Sequence, residues 1–154
     1  MPLAERVIAR ARANHLTIGV AESVTGGMLA SALTEVAGAS EAFAGGIVAY
    51  TNDAKARLLD IDEPLIQNHG AVSSAVACAM AEAARKKTGA GWGVGLTGFA
   101  GPSGDAVGNV HIALAHPDGK VESHEWRMSG AREQVRADTV QQALELLLDR
   151  LTKP

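Results

Sequence analysis

One serine and one lysine in this sequence are placed where they could act together on a carbonyl compound. Ser23 lies between an apolar run, residues 16–21, and the glycine pair Gly26 and Gly27. Its hydroxyl is either a nucleophile or a helix cap, since serine is preferred at helix N-termini. Lys55 falls in the first turn of a predicted short helix, where the helix dipole disfavours positive charge. A neutral lysine there could accept the proton of a serine hydroxyl, whereas a solvated surface lysine could not.

Other groups could bind the compound on which that pair would act. Tyr50, the single tyrosine, ends a predicted strand; its hydroxyl could hydrogen-bond Lys55 or a substrate, or the ring could be a half-buried strand residue. The glycine-rich segment 97–102 could donate backbone N–H groups to a phosphate or carbonyl, or be an ordinary surface loop. Arg132 and Arg136 stand one helical turn apart and could reach an anionic ligand, or form a solvated pair.

The spacing of the residues does not support three other kinds of functional site. The string from Gly93 to Gly98 matches G-x-G-x-x-G, but it lies inside a predicted strand and no helix follows, so the context of a dinucleotide site is absent. The five histidines show no paired metal-ligand spacing, and we expect no metal. No pair of carboxylates is placed for glycosidase chemistry.

The apolar pattern predicts the elements that would position these groups. Helices are predicted over residues 3–11, 25–36, 53–59, from 73 or 74 to 88, and from 130 onward, with a short helical turn opened by Pro64. Strands are predicted over residues 16–21, 45–50, 92–97, 110–115 and 121–128. The early alternation of strands and helices favours parallel pairing, and the late hairpin adds antiparallel strands. The predicted fold is α/β, a three-layer α/β/α sandwich around a mixed, mainly parallel sheet.

Parallel pairing would bring the chemical groups together. In open α/β sheets, sites form at the carboxyl ends of parallel strands. The segments 22–27, 50–55 and 97–102 each follow one of the first three predicted strands. We therefore expect all three segments at one rim of the sheet.

Composition narrows the class of protein. The chain has 154 residues, of which 47% are hydrophobic, and this suits a single domain over residues 1–154. The net charge of −3 and the isoelectric point of 5.9 argue against a nucleic-acid or anionic-membrane partner. No apolar segment approaches the roughly 20 residues that cross a bilayer. One cysteine, Cys78, excludes an intrachain disulfide, and the N-terminus has no apolar leader, so we expect a cytoplasmic protein.

Four segments carry a resemblance to a known family. They are AESVTGG at 21–27, GGIVAYTNDAK at 45–55, HGAVS at 69–73, and TGFAGPSGD with VGNV between 97 and 110. In this order and spacing they resemble the C-terminal domain of the CinA competence/damage-inducible proteins, the PncC family of nicotinamide-nucleotide amidohydrolases. The likeness extends over residues 5–150.

The resemblance implies a hydrolase without a cofactor. The family's reaction converts nicotinamide mononucleotide to nicotinic acid mononucleotide and ammonia, in pyridine-nucleotide recycling. The family's serine falls on Ser23, its lysine on Lys55 and its tyrosine on Tyr50. We expect Ser23 to attack the carboxamide carbon, Lys55 to act as general base, and Tyr50 to orient Lys55.

The expected substrate contacts surround these three residues. Backbone N–H groups of Thr25, Gly26 and Gly27 would stabilise the oxyanion. The remaining contacts are expected from the third rim segment and the last helix: Thr97, Gly98, Ala100, Gly101 and Arg132. The partners are then a small-molecule nucleotide and further copies of this chain in a homo-oligomer. The alternatives are a pyridine-nucleotide-binding module without catalysis, and an amidase for a different ring carboxamide.

The sequence departs from the family pattern in three ways. Val24 stands where the family usually has cysteine, a position that the expected mechanism does not need. The loop GPSGDAVGNV at 101–110 is shorter than the corresponding loop of the family and lacks its lysine. This difference concerns the affinity for the substrate and the identity of the nucleotide that is bound. Many relatives carry a second, N-terminal nucleotide-processing domain, and we expect neither that domain nor its activity here.

Overall fold

In the part of the chain that the structure describes, six α-helices and five strands follow one another in the predicted order. The computed structural model describes residues 1–102, 104 and 106–153. The helices are α1 (Leu3–Ala13), α2 (Met28–Thr34), α3 (Asn52–Leu59), α4 (Glu63–His69), α5 (Ser74–Thr88) and α6 (Arg132–Thr152). The strands are β1 (Ile18–Glu22), β2 (Phe43–Val48), β3 (Trp92–Gly98), β4 (Asn109–Ala115) and β5 (Val121–Arg127). A short 3₁₀ helix, Ala39–Glu41, precedes β2.

The five strands form one mixed sheet in the order β2-β1-β3-β4-β5. Strand β1 pairs in parallel with both β2 and β3, while β4 is antiparallel to β3 and to β5. Glu22, the last residue of β1, is in register with Val48 of β2 and Leu96 of β3. The three parallel strands therefore end side by side, which confirms the predicted rim.

Helices cover both faces of the sheet, as the predicted three-layer sandwich requires. On one face, α1, α2 and α6 bury apolar side chains such as Ile8, Leu29 and Leu147 against the sheet. On the other face, α5 packs with α3 and α4 through residues such as Leu59 and Met80. This second layer carries Lys55 on α3 and holds it against the end of the sheet.

Two glycines of β3 allow α5 to lie unusually close to the sheet. A Cβ atom added at Gly93 would collide with the backbone oxygen of Ala81, and one at Gly95 with that of Ala77. The first two glycines of the G-x-G-x-x-G string therefore serve helix–sheet packing in the middle of a strand. This is the physical reason why the string is not a dinucleotide fingerprint.

The helix boundaries differ from prediction mainly at α2. That helix begins at Met28 and not at Thr25, because residues 24–27 form turns and Gly27 takes a left-handed φ of 105° at the N-cap position. The other caps are as predicted: Thr51 accepts from the N–H of Ala54 to start α3, and Ser73 accepts from that of Val76 to start α5.

The end of α6 is fastened to the sheet by the carboxylate of Glu122 on β5. Arg150 donates to it from Nε at 2.9 Å and from Nη2 at 2.6 Å, and His124 lies 2.8 Å away. These contacts, with the Arg150 hydrogen bond the largest cause, lower the pKa of Glu122 from 4.5 to about 2. The stabilisation is therefore complete above pH 4.5 and is lost as the pH falls through about 2.

We predict that Glu122→Gln destabilises the protein at pH 7 and makes its stability less dependent on pH below 4.5. The reason is that the variant keeps the side-chain shape but cannot hold the negative charge that Arg150 stabilises. Urea unfolding at pH 7 and pH 3 measures the effect, with Glu35→Gln as the control because Glu35 is exposed at the end of α2. Equal pH dependence in wild type and Glu122→Gln would contradict the prediction.

Candidate active site

Ser23 occupies the first position after β1, at the rim where the parallel strands end. Its backbone N–H donates to the carbonyl of Leu96 on β3 at 3.0 Å, and its own carbonyl accepts from Gly26 at 3.0 Å. The residue is only 7% exposed. Ser23 is not a helix cap, because α2 begins five residues later and Gly27 occupies its N-cap position.

Lys55 reaches Ser23 from α3 on the neighbouring segment. Its ammonium Nζ lies 3.1 Å from Ser23 Oγ and 3.4 Å from the carbonyl oxygen of Tyr50. The side chain is 2% exposed, so the interpretation of Lys55 as a solvated surface residue is wrong. Among the described residues no carboxylate lies within ion-pair distance of Nζ, and burial lowers the pKa of Lys55. A lysine in this environment is suited to accept the serine proton along the contact that already exists.

The pair opens into a pocket of about 460 Å³ formed by all three rim segments. The pocket includes five of the eight residues expected to bind substrate: Thr97, Gly98, Ala100, Gly101 and Arg132. It also includes residues to which the sequence analysis assigned no part in catalysis or binding: Val24, Thr51, Asn52, Ala71, Val72 and Phe99. The motif HGAVS at 69–73, one of the four segments that resemble the family, is the sequence signal that could have pointed to Ala71 and Val72.

Thr97 joins the rim to the segment that precedes α5. Its hydroxyl donates to the carbonyl of Ala71 at 2.7 Å, and the residue is 1% exposed. This hydrogen bond brings Ala71 and Val72 to the pocket wall. The side chain of Thr97 thus fixes the shape of the pocket.

Tyr50 contributes to the site differently from the expectation. Its hydroxyl accepts a hydrogen bond from Arg132 Nη2 at 2.7 Å, and it is the backbone carbonyl that contacts Lys55. The side chain is 55% exposed, so it is not a half-buried strand residue. Arg132 Nη1 also donates to the carbonyl of Gly101 at 2.7 Å. Arg132 therefore links the segment after β2 to the segment after β3 across the pocket.

Thr25, Gly26 and Gly27, which are expected to contact the substrate, are not among the described residues that line this pocket. The N–H of Gly26 is occupied by the Ser23 carbonyl, and a side chain at Gly26 would meet Arg136. Thr25 is fully buried and donates its hydroxyl to Glu22. These three residues shape the turn that carries Ser23, and they do not line the pocket that the described residues form.

Glu22 and Arg136 hold that turn from two sides, and sequence reasoning gave neither this role. The buried carboxylate of Glu22 accepts from the N–H groups of Leu29 and Ala30, both at 2.9 Å, and so takes up the free N–H groups of α2. Arg136 donates to the backbone carbonyls of Val24 at 3.0 Å and of Thr25 at 3.2 Å. The first three N–H groups of α2, those of Met28, Leu29 and Ala30, are therefore satisfied internally.

We predict that Glu22→Ala costs about 3 kcal/mol of unfolding free energy, because it leaves two buried donors and one partly buried donor without their acceptor. The loosened turn also displaces Ser23, so turnover of the substrate falls with stability. Urea unfolding measures the first effect, and Glu35→Ala, at an exposed position beside the same helix, is the control. Wild-type stability of Glu22→Ala would show that the carboxylate does not hold the turn.

Within the described residues, no three His, Cys, Asp or Glu side chains are grouped to hold a metal ion. The same residues contain no helix long and apolar enough to span a bilayer. The site therefore consists of a buried serine–lysine pair at the carboxyl ends of parallel strands, with a pocket beside it. Fold and site together define an α/β protein with a buried serine–lysine contact in a pocket at the end of its parallel strands.

Comparison with known proteins identifies the family. The family profile of the CinA C-terminal domain matches residues 1–151, and the chain belongs to this family. A CinA-like protein of Synechococcus sp. (strain RCC307) is 47% identical over 152 residues, which are 94% of this chain and 36% of the relative. A CinA-like protein of Gloeobacter violaceus is 49% identical over 137 residues, 85% of this chain and 32% of the relative. The chain thus spans about a third of the length of these relatives.

Solved structures share the complete fold. The competence/damage-inducible protein CihA from Agrobacterium tumefaciens superposes with a TM-score of 0.93 at 40% identity, over 98% of this chain and 94% of that one. A CinA superfamily protein from Klebsiella pneumoniae gives 0.94 at 31% identity, over 97% and 95% of the two chains. The α/β fold predicted from the sequence is confirmed by both.

Proposed function

We propose that this protein hydrolyses the carboxamide of nicotinamide mononucleotide to nicotinic acid mononucleotide and ammonia, with Ser23 as nucleophile and Lys55 as general base. The observation that carries the proposal is the 3.1 Å contact between Lys55 Nζ and Ser23 Oγ inside a pocket. The lowered pKa of Lys55 supports its role, because only the neutral amine can take a proton. The substrate comes from the family resemblance of the motifs that contain these residues.

The reaction would proceed in two halves. Ser23 Oγ attacks the carboxamide carbon while its proton passes to Lys55, and collapse of the tetrahedral intermediate breaks the C–N bond. Lys55 returns the proton to the departing ammonia, which leaves an ester between the nicotinoyl group and Ser23. Water then attacks this ester with Lys55 again as base, releasing the carboxylate and restoring the serine hydroxyl.

Backbone N–H groups of the segment after β3 are further candidates to stabilise the oxyanion of this reaction. Ala100 and Gly101 line the pocket, and within the described residues neither backbone N–H has a hydrogen-bond acceptor. Ala100 is 4% exposed, so its unpaired N–H is shielded from bulk water. We propose these two groups as oxyanion donors. The expected role of Thr25 and Gly27 stays a prediction.

Arg132 is suited to bind the phosphate of the nucleotide. Its guanidinium has five N–H donors, and its hydrogen bonds to Tyr50 and Gly101 fix the plane of the group at the pocket wall. The remaining N–H groups are then available to an anion. The loop after β3 lacks the lysine of the family pattern, so Arg132 would be the cation that binds the phosphate. Ser103 and Asp105 of this shortened loop lie outside the described residues.

Ammonia release from nicotinamide mononucleotide, measured beside free nicotinamide, tests the proposal. The proposal expects release from the nucleotide and much less from nicotinamide, which offers nothing for Arg132 to hold. Release from nicotinamide alone would identify an amidase for another ring carboxamide. Calorimetric binding of the nucleotide without any ammonia would identify a binding module and overturn the proposal.

A further inference from the structure

Two aromatic rings are exposed at the pocket that contains Ser23 and Lys55. The chain has five aromatic residues other than histidine: two Phe, two Trp and one Tyr. Two of them, Tyr50 and Phe99, are 55% and 46% exposed, and both line the pocket that contains Ser23 and Lys55. Trp92, by contrast, is 6% exposed. Exposed aromatic area at a binding pocket is available for a ligand to cover.

The backbone holds Phe99 at the pocket wall. Its N–H donates to the carbonyl of Asn109 at 2.9 Å, and its carbonyl accepts from the N–H of Gly108 at 2.6 Å. The preceding residue, Gly98, has no space for a side chain, because a Cβ there would collide with Val110. The position of Phe99 is therefore fixed by its backbone, although its ring makes little contact with the protein core.

The charges of the pocket give the ring a specific role. The charged residues that line the pocket are Lys55 and Arg132, and none of the described lining residues is acidic. A pyridine ring that carries ribose on its nitrogen is positively charged. None of the described lining residues is a carboxylate that could balance this charge, and the exposed aromatic rings are groups whose faces can attract it.

We propose that Phe99, together with Tyr50, recognises the cationic pyridinium ring and sets the preference of the pocket for N-substituted pyridinium carboxamides over neutral rings. This inference rests on the proposed function, since it concerns the same pocket. Phe99 acts here on specificity, and the chemistry at the amide remains with Ser23 and Lys55.

Binding measurements separate the effect of charge from that of shape. Phe99→Leu keeps an apolar side chain of similar bulk but removes the aromatic face. Isothermal calorimetry in a Ser23→Ala background, which prevents turnover, compares nicotinamide mononucleotide with its reduced form, whose dihydropyridine ring is neutral. We expect Phe99→Leu to raise the Kd of the oxidised nucleotide about 2- to 30-fold and to leave that of the reduced form within about twofold.

Leu58→Ala is the matched control, since Leu58 is 49% exposed but is not among the residues that line the pocket. The inference would be overturned if Phe99→Leu weakened the binding of both ring forms equally or changed the Kd of neither. It would also be overturned if the Ser23→Ala protein did not bind the oxidised nucleotide. Because the readout is binding, it is independent of the ammonia assay. Ammonia release with an unchanged Kd in Phe99→Leu would leave the proposed function standing and remove only this inference.

Discussion

Ser23→Ala is expected to release no ammonia from nicotinamide mononucleotide above background, while it unfolds at the same temperature as the wild type. The loss follows because alanine has no atom that can form the ester with the nicotinoyl group. In serine hydrolases, removal of the nucleophile costs on the order of 10⁴-fold or more in turnover. Stability is preserved because the Ser23 side chain makes its one described hydrogen bond to Lys55, and the turn is held by other groups.

Three measurements make this prediction sharp. A continuous ammonia assay gives turnover, thermal unfolding gives stability, and calorimetry shows whether Ser23→Ala still binds the nucleotide. Ser40→Ala is the control, because Ser40 is exposed on the 3₁₀ helix that precedes β2. Full turnover in Ser23→Ala would exclude a covalent mechanism at this residue and return the site to the class of binding modules.

The pairing of Ser23 with Lys55 was predictable because it follows from sheet topology. Alternating strands and helices predict parallel pairing, and parallel strands place their carboxyl ends at one rim. Two residues 32 positions apart then meet without any local signal that links them. The alternatives for each residue could not be decided from the sequence, because burial of Lys55 depends on how α3 packs against the sheet.

The arrangement of Arg132, Arg136 and Glu22 was not predictable in the same way. A helical spacing places the two arginines near each other, but it does not say that one bonds Tyr50 and the other the carbonyls of Val24 and Thr25. Those contacts depend on where α6 lies across the end of the sheet. The role of Glu22 was hidden for another reason: local pattern suggested a serine or threonine cap, and the structure uses a carboxylate from the preceding strand.

The burial of Lys55 lowers the free energy of unfolding of the protein. Lys55 is 2% exposed, and within the described residues no carboxylate pairs with it, so the desolvation of its charged form is offset only by hydrogen bonds to Ser23 and to the Tyr50 carbonyl. A position of this kind would be filled by an apolar residue if stability alone were selected. The proposed role of neutral Lys55 as general base accounts for a lysine at this position.

Lys55→Met should therefore lose activity and gain stability at the same time. Methionine fills a similar volume without a charge to desolvate, so we expect a higher unfolding temperature at pH 7. Without the base, ammonia release falls about 10²- to 10⁴-fold. Lys86→Met is the control, since Lys86 is exposed on α5. A variant that retains turnover, or one that is less stable than wild type, would contradict the account of Lys55 as a buried base.

The pH dependence gives the same test in the wild type. Burial places the pKa of Lys55 below its ordinary value of 10.5, so the folded protein releases this proton at lower pH than the unfolded chain does. Between these two values the unfolded chain binds more protons, and stability therefore rises with pH. The stability advantage of Lys55→Met in urea unfolding should shrink as the pH rises towards 10.5. The kcat/KM of the wild type should rise in the same direction, because the neutral fraction of Lys55 increases. Lys55→Arg, charged throughout, should stay inactive because arginine cannot supply a neutral base.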